Sequence, residues 1–310
     1  MIAWLVLLQA SFSIAVAGPA SSLEYLPLHV AQAEGLFAAQ QLNTTLRATR
    51  SDAGAAKVLA TNQVQLVATS LDAALRLGAA DGRPPRLVHG LTAAPPVTLL
   101  VGPGRAETIR SAADLVGQTV AISAPGTAED QALGILLARA RVPMHRVKVV
   151  SLGEEGATRA LEGGEVAAAV LVDPHTSRLV DAGKAVVVAD LRTPRSAAAA
   201  LGGPTVNAGL FVRAGTELPP DTLRGLRTAL QGAVARLVSS DPAAIRTGLP
   251  PAVIGPRADF AAHLVSARGL FLPDGRVTVD ALERSIELVL ARAPLSARVK
   301  LPRAERLLVE

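Results

Sequence analysis

Short apolar runs alternate with helix-patterned segments over most of this 310-residue chain, and that alternation constrains its fold more than any other feature. Phe12–Gly18, Leu42–Thr49, Gln65–Ala68 and Arg86–Leu91 read as strands, with helices between them, one over Ala53–Ala60 and another running through Gly78. Strands separated by helices imply right-handed βαβ units, because a parallel neighbour can be reached only by a crossover. Val97–Val101 leads through Gly102-Pro103-Gly104 into a second series, with strands at Thr119–Ser123, Val147–Leu152, Val166–Val172 and Ala185–Ala189. Helices are expected there over Glu129–Ala140 and Glu155–Glu162 and from Pro174. Val206–Val212 reads as a return strand. The remainder is helical, punctuated at Pro219-Pro220, Pro250-Pro251 and Pro273-Asp274-Gly275.

A chain that leaves one α/β lobe, builds a second and comes back predicts two crossings and a cleft between lobes. The expected division is 12–98 plus 207–310 for the first lobe and 99–206 for the second, with 1–11 as an N-terminal segment. Ligands of such sheets sit beyond the carboxyl ends of the strands.

Met1–Gln9 is apolar, and the first charged residue is Glu24. A signal peptide ending at Ala15-Val16-Ala17 is one reading. The preferred one treats residues 1–11 as the remnant of a signal that starts upstream, which keeps Phe12–Gly18 as the first core strand.

Composition removes several function classes. The absence of cysteine excludes disulfides, Cys-ligated zinc, thiolate catalysis and a lipid-modified N-terminal Cys. Trp4, Phe12, Tyr25, Phe37, Phe211, Phe260 and Phe271 are the only aromatic residues, too few for a cation cage or a base-stacking platform. The 31 Lys and Arg exceed the 26 Asp and Glu, but they are scattered, without the concentrated stripe that nucleic acid requires. His29, His89, His145 and His263 show no metal-ligand spacing, and neither a P-loop, a Gly-x-Ser-x-Gly elbow nor a Rossmann glycine fingerprint is present. No catalytic residue, metal or cofactor is therefore expected.

A series of stations carries a family resemblance. Glu24–Phe37, with Pro27-Leu28, Ala31-Gln32 and Gly35-Leu36-Phe37, follows the first strand. Ser111–Ile122 and Ala124-Pro125-Gly126-Thr127 open the second lobe; Leu171–Thr176, Ala189–Thr193, Asn207–Val212 and Asp274–Val277 follow. In this order they resemble the ABC-transporter periplasmic solute-binding proteins of the nitrate/sulfonate/taurine family, related in fold to thiamine-pyrimidine synthases. The resemblance implies an α/β, two-lobe periplasmic-binding-protein fold (type II), each lobe a mostly parallel sheet with flanking helices, and two hinge crossings. It also implies an extracytoplasmic monomer that closes on a small polar or anionic molecule and delivers it to an ABC permease with its ATPase. Departures mark a divergent member: Gln41 stands where the family usually has Gly, and Gln65 and Ala167 where it usually has Asp. The alternatives are an enzyme of the same fold, of thiamine-pyrimidine or menaquinone precursor type, and a sensing module without a transporter. The thiamine-pyrimidine synthases are associated with a Cys- and His-bearing site that a Cys-free chain cannot reproduce.

Loops at strand ends supply the ligand-binding candidates. Ser21 and Ser22 can bind a ligand or cap the helix that follows, and Tyr25 can do the same or simply pack. Ser70 combines an N-cap position with neighbouring N–H groups facing the cleft. Gly126 is expected to admit close backbone approach, and Thr127 to open a helix whose free N–H groups hold an anionic oxygen; Thr127 to Asp130 also has capping-box spacing. Asp173 and His175 flank Pro174 at another strand end, and Thr92 and Asn207 lie beside the crossings.

Overall fold

The computed structural model describes residues 10–81, 83–255, 260–295 and 301–309, so the apolar run Met1–Gln9 lies outside the described residues. Strands β1 (Ala10–Val16), β2 (Leu42–Ala48), β3 (Leu66–Ser70) and β4 (Arg86–Gly90) combine with β10 (Ala208–Val212) in the order β2-β1-β3-β10-β4. A second sheet contains β5 (Thr98–Val101), β6 (Thr119–Ile122), β7 (Lys148–Ser151), β8 (Ala168–Leu171) and β9 (Val186–Asp190), in the order β7-β6-β8-β5-β9. Each sheet is parallel except for its fourth strand. β10 runs antiparallel to β3 and β4, and β5 antiparallel to β8 and β9. Those two reversed strands are the ones that follow the crossings, so in each sheet the reversed strand is the one that enters from the other lobe.

Sequence pattern and sheet position agree. β3, β5, β8 and β10 are buried along their whole length; β8 and β10 are unbroken apolar runs, whereas β3 ends in the buried pair Thr69-Ser70 and β5 begins at the buried Thr98. β2, at one edge, alternates buried and exposed residues over its first half. In the second sheet the period of two divides the core. Leu99, Val101, Val120, Ile122, Ala168 and Val170 pack on one face, and Leu100, Ala121, Ala169 and Leu171 on the other.

Helices α1 (Leu26–Ala33), α2 (Leu36–Ala39), α3 (Asp52–Ala60), α4 (Leu71–Asp81) and α9 (Pro220–Ser239) flank the first sheet. The second carries α5 (Ala128–Arg139), α6 (Gly153–Glu162), α7 (His175–Asp181) and α8 (Pro194–Leu201). The tail adds α10 (Pro242–Gly248), α11 (Pro251–Ile254), α12 (Phe260–Ala267) and α13 (Val279–Arg292). α13 serves both lobes: Leu282 belongs to the first core and Leu288 to the second. Arg292 lies so close over α5 that a Cβ at Gly134 would come within 2.5 Å of its side chain.

The first helix stops at Ala33, and Gly35 takes a left-handed φ of +69° before α2 begins. Gln41 also adopts a left-handed conformation, φ +58°, at the turn into β2. Gln65 ties its strand to β1, its Oε1 accepting from the Ser13 amide at 2.7 Å. β1 begins at Ala10 and pairs with both β2 and β3, so cleavage after Ala17 would remove an interior strand. α8 was not anticipated; its Thr193 caps the Ser196 amide, with Pro194 at the first helical position.

Candidate ligand-binding cleft

The carboxyl ends of β1, β3, β6, β8 and β9 and the start of β10 all point to one place, a cleft of about 450 Å³ between the two sheets. Because β10 is reversed, its amino end, with Asn207 just before it, reaches the same edge. The crossings lie side by side beneath this cleft. The Asn207 amide donates to the Thr92 carbonyl at 2.8 Å, the Thr92 amide to Ala208, and the Thr205 hydroxyl to Ala93.

The first lobe's wall is built on a close approach. A Cβ at Gly18 would fall 2.0 Å from the Thr49 carbonyl oxygen, so only glycine lets β1 run past that loop into Pro19, Ser21 and Ser22. Ser22 stands at the N-cap of a single 3-10 turn, Leu23–Tyr25, but makes no side-chain cap bond. Both serines line the cleft, and their hydroxyls have no partner among the described residues.

Behind them lies a carboxylate network absent from the sequence expectations. Oδ1 of Asp52 accepts from Tyr25 Oη at 2.5 Å, from Thr69 Oγ1 at 3.0 Å and from the Ser70 amide at 2.8 Å. Burial, then the adjacent Asp52 charge, pushes the Tyr25 phenol well above its ordinary pKa. Glu24 Oε1 accepts from Asn207 Nδ2 at 2.6 Å and, at a longer 3.4 Å, from Thr92 Oγ1. Burial and the Asp52 charge push Glu24 up to about 8, against the opposing pull of those two hydrogen bonds. Glu24 is thus predominantly a neutral acid at pH 7. Ser70 lines the cleft and caps α4, its Oγ accepting from the Ala73 amide.

From the second lobe come Ser123, Gly126, Thr127, Glu129, Glu154, Asp173 and Arg192. Gly126 needs to be glycine for a different reason than close approach. Its φ is +81°, and the space where a Cβ would stand is open. Thr127 occupies the N-cap of α5 without a side-chain cap bond; its Oγ1 donates to the Ala124 carbonyl and accepts from Ser123. Asp130 reaches back instead, accepting from the Gly126 amide at 2.9 Å. The α5 terminus therefore already carries acidic side chains of its own, Glu129 and Asp130.

Asp173 accepts from the Ser177 amide and hydroxyl through Oδ1 and from Arg192 Nη1 through Oδ2 at 2.9 Å. Burial alone would raise its pKa; the bonds from Ser177 and Arg192 outweigh that and hold it below the ordinary aspartate value. Arg192 is pinned further by Asp190 at 3.0 Å. Burial opposes its charge, but the Asp190 and Asp173 bonds prevail and raise its pKa.

Eight of the ten expected residues meet at this cleft: Ser21, Ser22, Tyr25, Ser70, Gly126, Thr127, Asp173 and Asn207. Two do not. Thr92 is fully buried beneath Glu24 and acts on the cleft only through that carboxyl and the Ala208 amide. His175 is buried and turned toward α6: Nδ1 meets Arg178 Nη2 at 2.9 Å, and Nε2 faces Glu154 at 3.6 Å. An arginine can only donate, so Nδ1 is the acceptor and Nε2 carries the proton. Glu24, Asp52, Glu129 and Glu154 escaped sequence reading because each sits in the first turn of a helix, where an acid is expected for the dipole alone. Among the described residues no group of three or more His, Cys, Asp or Glu is placed to hold a metal ion. No described helix is long and apolar enough to cross a membrane.

Residues 22–195 match a family model described as NMT1/THI5 like. No curated protein sequence matches the chain. Solved structures resemble it along nearly its whole length. The alkanesulfonate-binding protein SsuA from Xanthomonas axonopodis pv. citri, bound to MOPS, aligns with TM-score 0.60 at 20% identity, over 97% of this chain and 98% of that one. A putative sulfonate ABC transporter periplasmic sulfonate-binding protein from Methylobacillus flagellatus KT gives 0.64 at 17%, over 96% and 91%. A Candida albicans gene product, described as exhibiting the generic periplasmic binding protein fold, gives 0.57 at 12%, over 96% and 94%.

Proposed function

Since this chain belongs to the NMT1/THI5-like family, we propose that it is an extracytoplasmic solute-binding protein that closes on a small polar molecule and presents it to an ABC permease. The first sheet with its helices forms one jaw, and the second sheet, which Thr98 enters as the start of β5 with Ala93, Ala94 and Val97 in its core, forms the other. The observation that supports this reading is the single cleft lined by both sheets at the strand ends, over two crossings paired through Thr92 and Asn207. Closure there makes each jaw complete the other's hydrogen bonds, so affinity and selectivity both depend on shutting.

In this role the protein binds without turnover. The test is a thermal-shift screen of small polar solutes, followed by small-angle scattering and recovery of the ligand. A stabilising solute should shrink the radius of gyration and come back chemically unchanged. A ligand that returns converted replaces this reading with an enzymatic one, and a stabilising ligand that leaves the shape unchanged removes the closing jaws.

A further inference from the structure

We propose that this cleft selects a small solute bearing a cationic nitrogen, with Glu129 from the second lobe and the free oxygen of Asp52 from the first as its acceptors. The inference rests on the solute-binding reading above and narrows it to a ligand class.

The lining is acidic. Five acidic side chains and two guanidiniums face the cleft; with Glu24 protonated, four carboxylates still outnumber the two cations, although the whole chain carries a formal charge of +5. One guanidinium is already committed, since Arg192 is held between Asp173 and Asp190. The other, Arg50, is exposed and has no partner among the described residues.

Glu129 is the decisive residue. It is 4% exposed, lines the cleft, and makes no hydrogen bond or ion pair with any described residue. A carboxylate in the cleft wall with so little contact with water and no protein partner is an acceptor that a ligand entering the cleft can satisfy. The dipole of α5 favours an acid in its first turn, but that explanation fits Asp130, whose oxygen caps the Gly126 amide. A dipole does not require Glu129 to be buried in the cleft wall. Asp52 supplies a second acceptor. All three of its side-chain bonds fall on Oδ1, which leaves Oδ2 without a hydrogen bond among the described residues. A carboxylate held rigidly by one oxygen presents the other at low entropic cost. An ammonium, amidinium or guanidinium satisfies such acceptors, whereas a sulfonate or carboxylate would add negative charge beside them.

The experiment compares matched probes on the full chain at pH 7. Thermal shift and titration calorimetry are run with agmatine and n-butylamine, and with butanesulfonate and butyrate as anionic counterparts. The cationic probes should raise the melting temperature and bind at least ten-fold tighter than the anions. Glu129→Gln, which keeps shape and removes charge, should weaken the cations at least ten-fold and raise the melting temperature of the ligand-free protein. Asp52→Asn should also weaken them. If the anions bind and the cations do not, the ligand class is wrong while the solute-binding reading stands. Cation affinity unchanged in Glu129→Gln overturns the assignment of that residue. If neither class shifts the melting temperature at millimolar concentration, the cationic ligand class is overturned, while the solute-binding reading is decided separately by the wider screen of polar solutes.

Discussion

Tyr25 donates its hydroxyl to Oδ1 of Asp52 at 2.5 Å, joining the turn after β1 to the first residue of α3 at the floor of the cleft. The same oxygen holds Thr69 and the Ser70 amide, so one carboxylate organises three segments. Tyr25→Phe removes one charge-assisted bond and leaves the others. It should lower stability by about 1–2 kcal/mol in urea unfolding. A loss below a few tenths of a kcal/mol would show that Asp52 is held without the phenol.

The raised pKa of Glu24 has a defined pH signature. In the folded protein the group titrates near 8, against an ordinary 4.5 when unfolded. Between those values the native state binds the extra proton, so stability should fall as pH rises from about 4.5 to about 8 and then level off. Glu24→Gln should abolish this component. Melting temperatures of both proteins across pH 4–9 measure it, and parallel profiles would reject the shift. Asp52→Asn should move the fall in stability to lower pH, because the neighbouring charge contributes to it.

Asp173 carries the opposite sign. Its pKa is depressed, so its contribution is present above the ordinary aspartate value and lost as pH falls through the native one. Arg192→Ala leaves a carboxyl that is only 10% exposed with Ser177 as its remaining partner. The variant should lose about 2 kcal/mol at pH 7 and less at pH 3. An equal loss at both values would mean that packing of the arginine stem, and not its charge, is what matters.

Gln41 offers a gain. Its φ of +58° is a left-handed conformation that costs a side-chain-bearing residue about 1 kcal/mol. Gln41→Gly should raise stability by up to about 1 kcal/mol in denaturant unfolding, offset in part by the greater freedom of glycine when unfolded. A loss would reveal that the Gln41 side chain contributes contacts outweighing the strain.

The strands were legible because burial on both faces makes most of each central strand apolar. β3, β5, β8 and β10 could therefore be seen as apolar runs, and their alternation with helices led to two sheets. α8 was missed because it is short and half alanine, so that Ala197 and Leu201 are the only residues to mark its buried face. The serines, Gly126, Thr127, Asp173 and Asn207 were found by their place at strand ends. The carboxylates were hidden for a physical reason: a first-turn acid looks the same in sequence whether it faces solvent or a cleft. His175 misled because a polar residue after a strand can turn to either side, and the acids of α6 drew it away.

The position of β10 bears on the order in which the protein can be made. The second sheet is complete in sequence once β9 has been synthesised, but the first has β4 separated from β3 until β10 arrives between them. An emerging chain therefore carries an unfinished first sheet, with interior edges open, throughout synthesis of the inserted lobe. The sheet of the inserted lobe can form before the sheet that encloses it in sequence, although its core waits for Leu288 of α13. The segment that closes the gap is also the one that brings Asn207 to the cleft, so the first lobe's sheet and the binding site are completed by the same few residues.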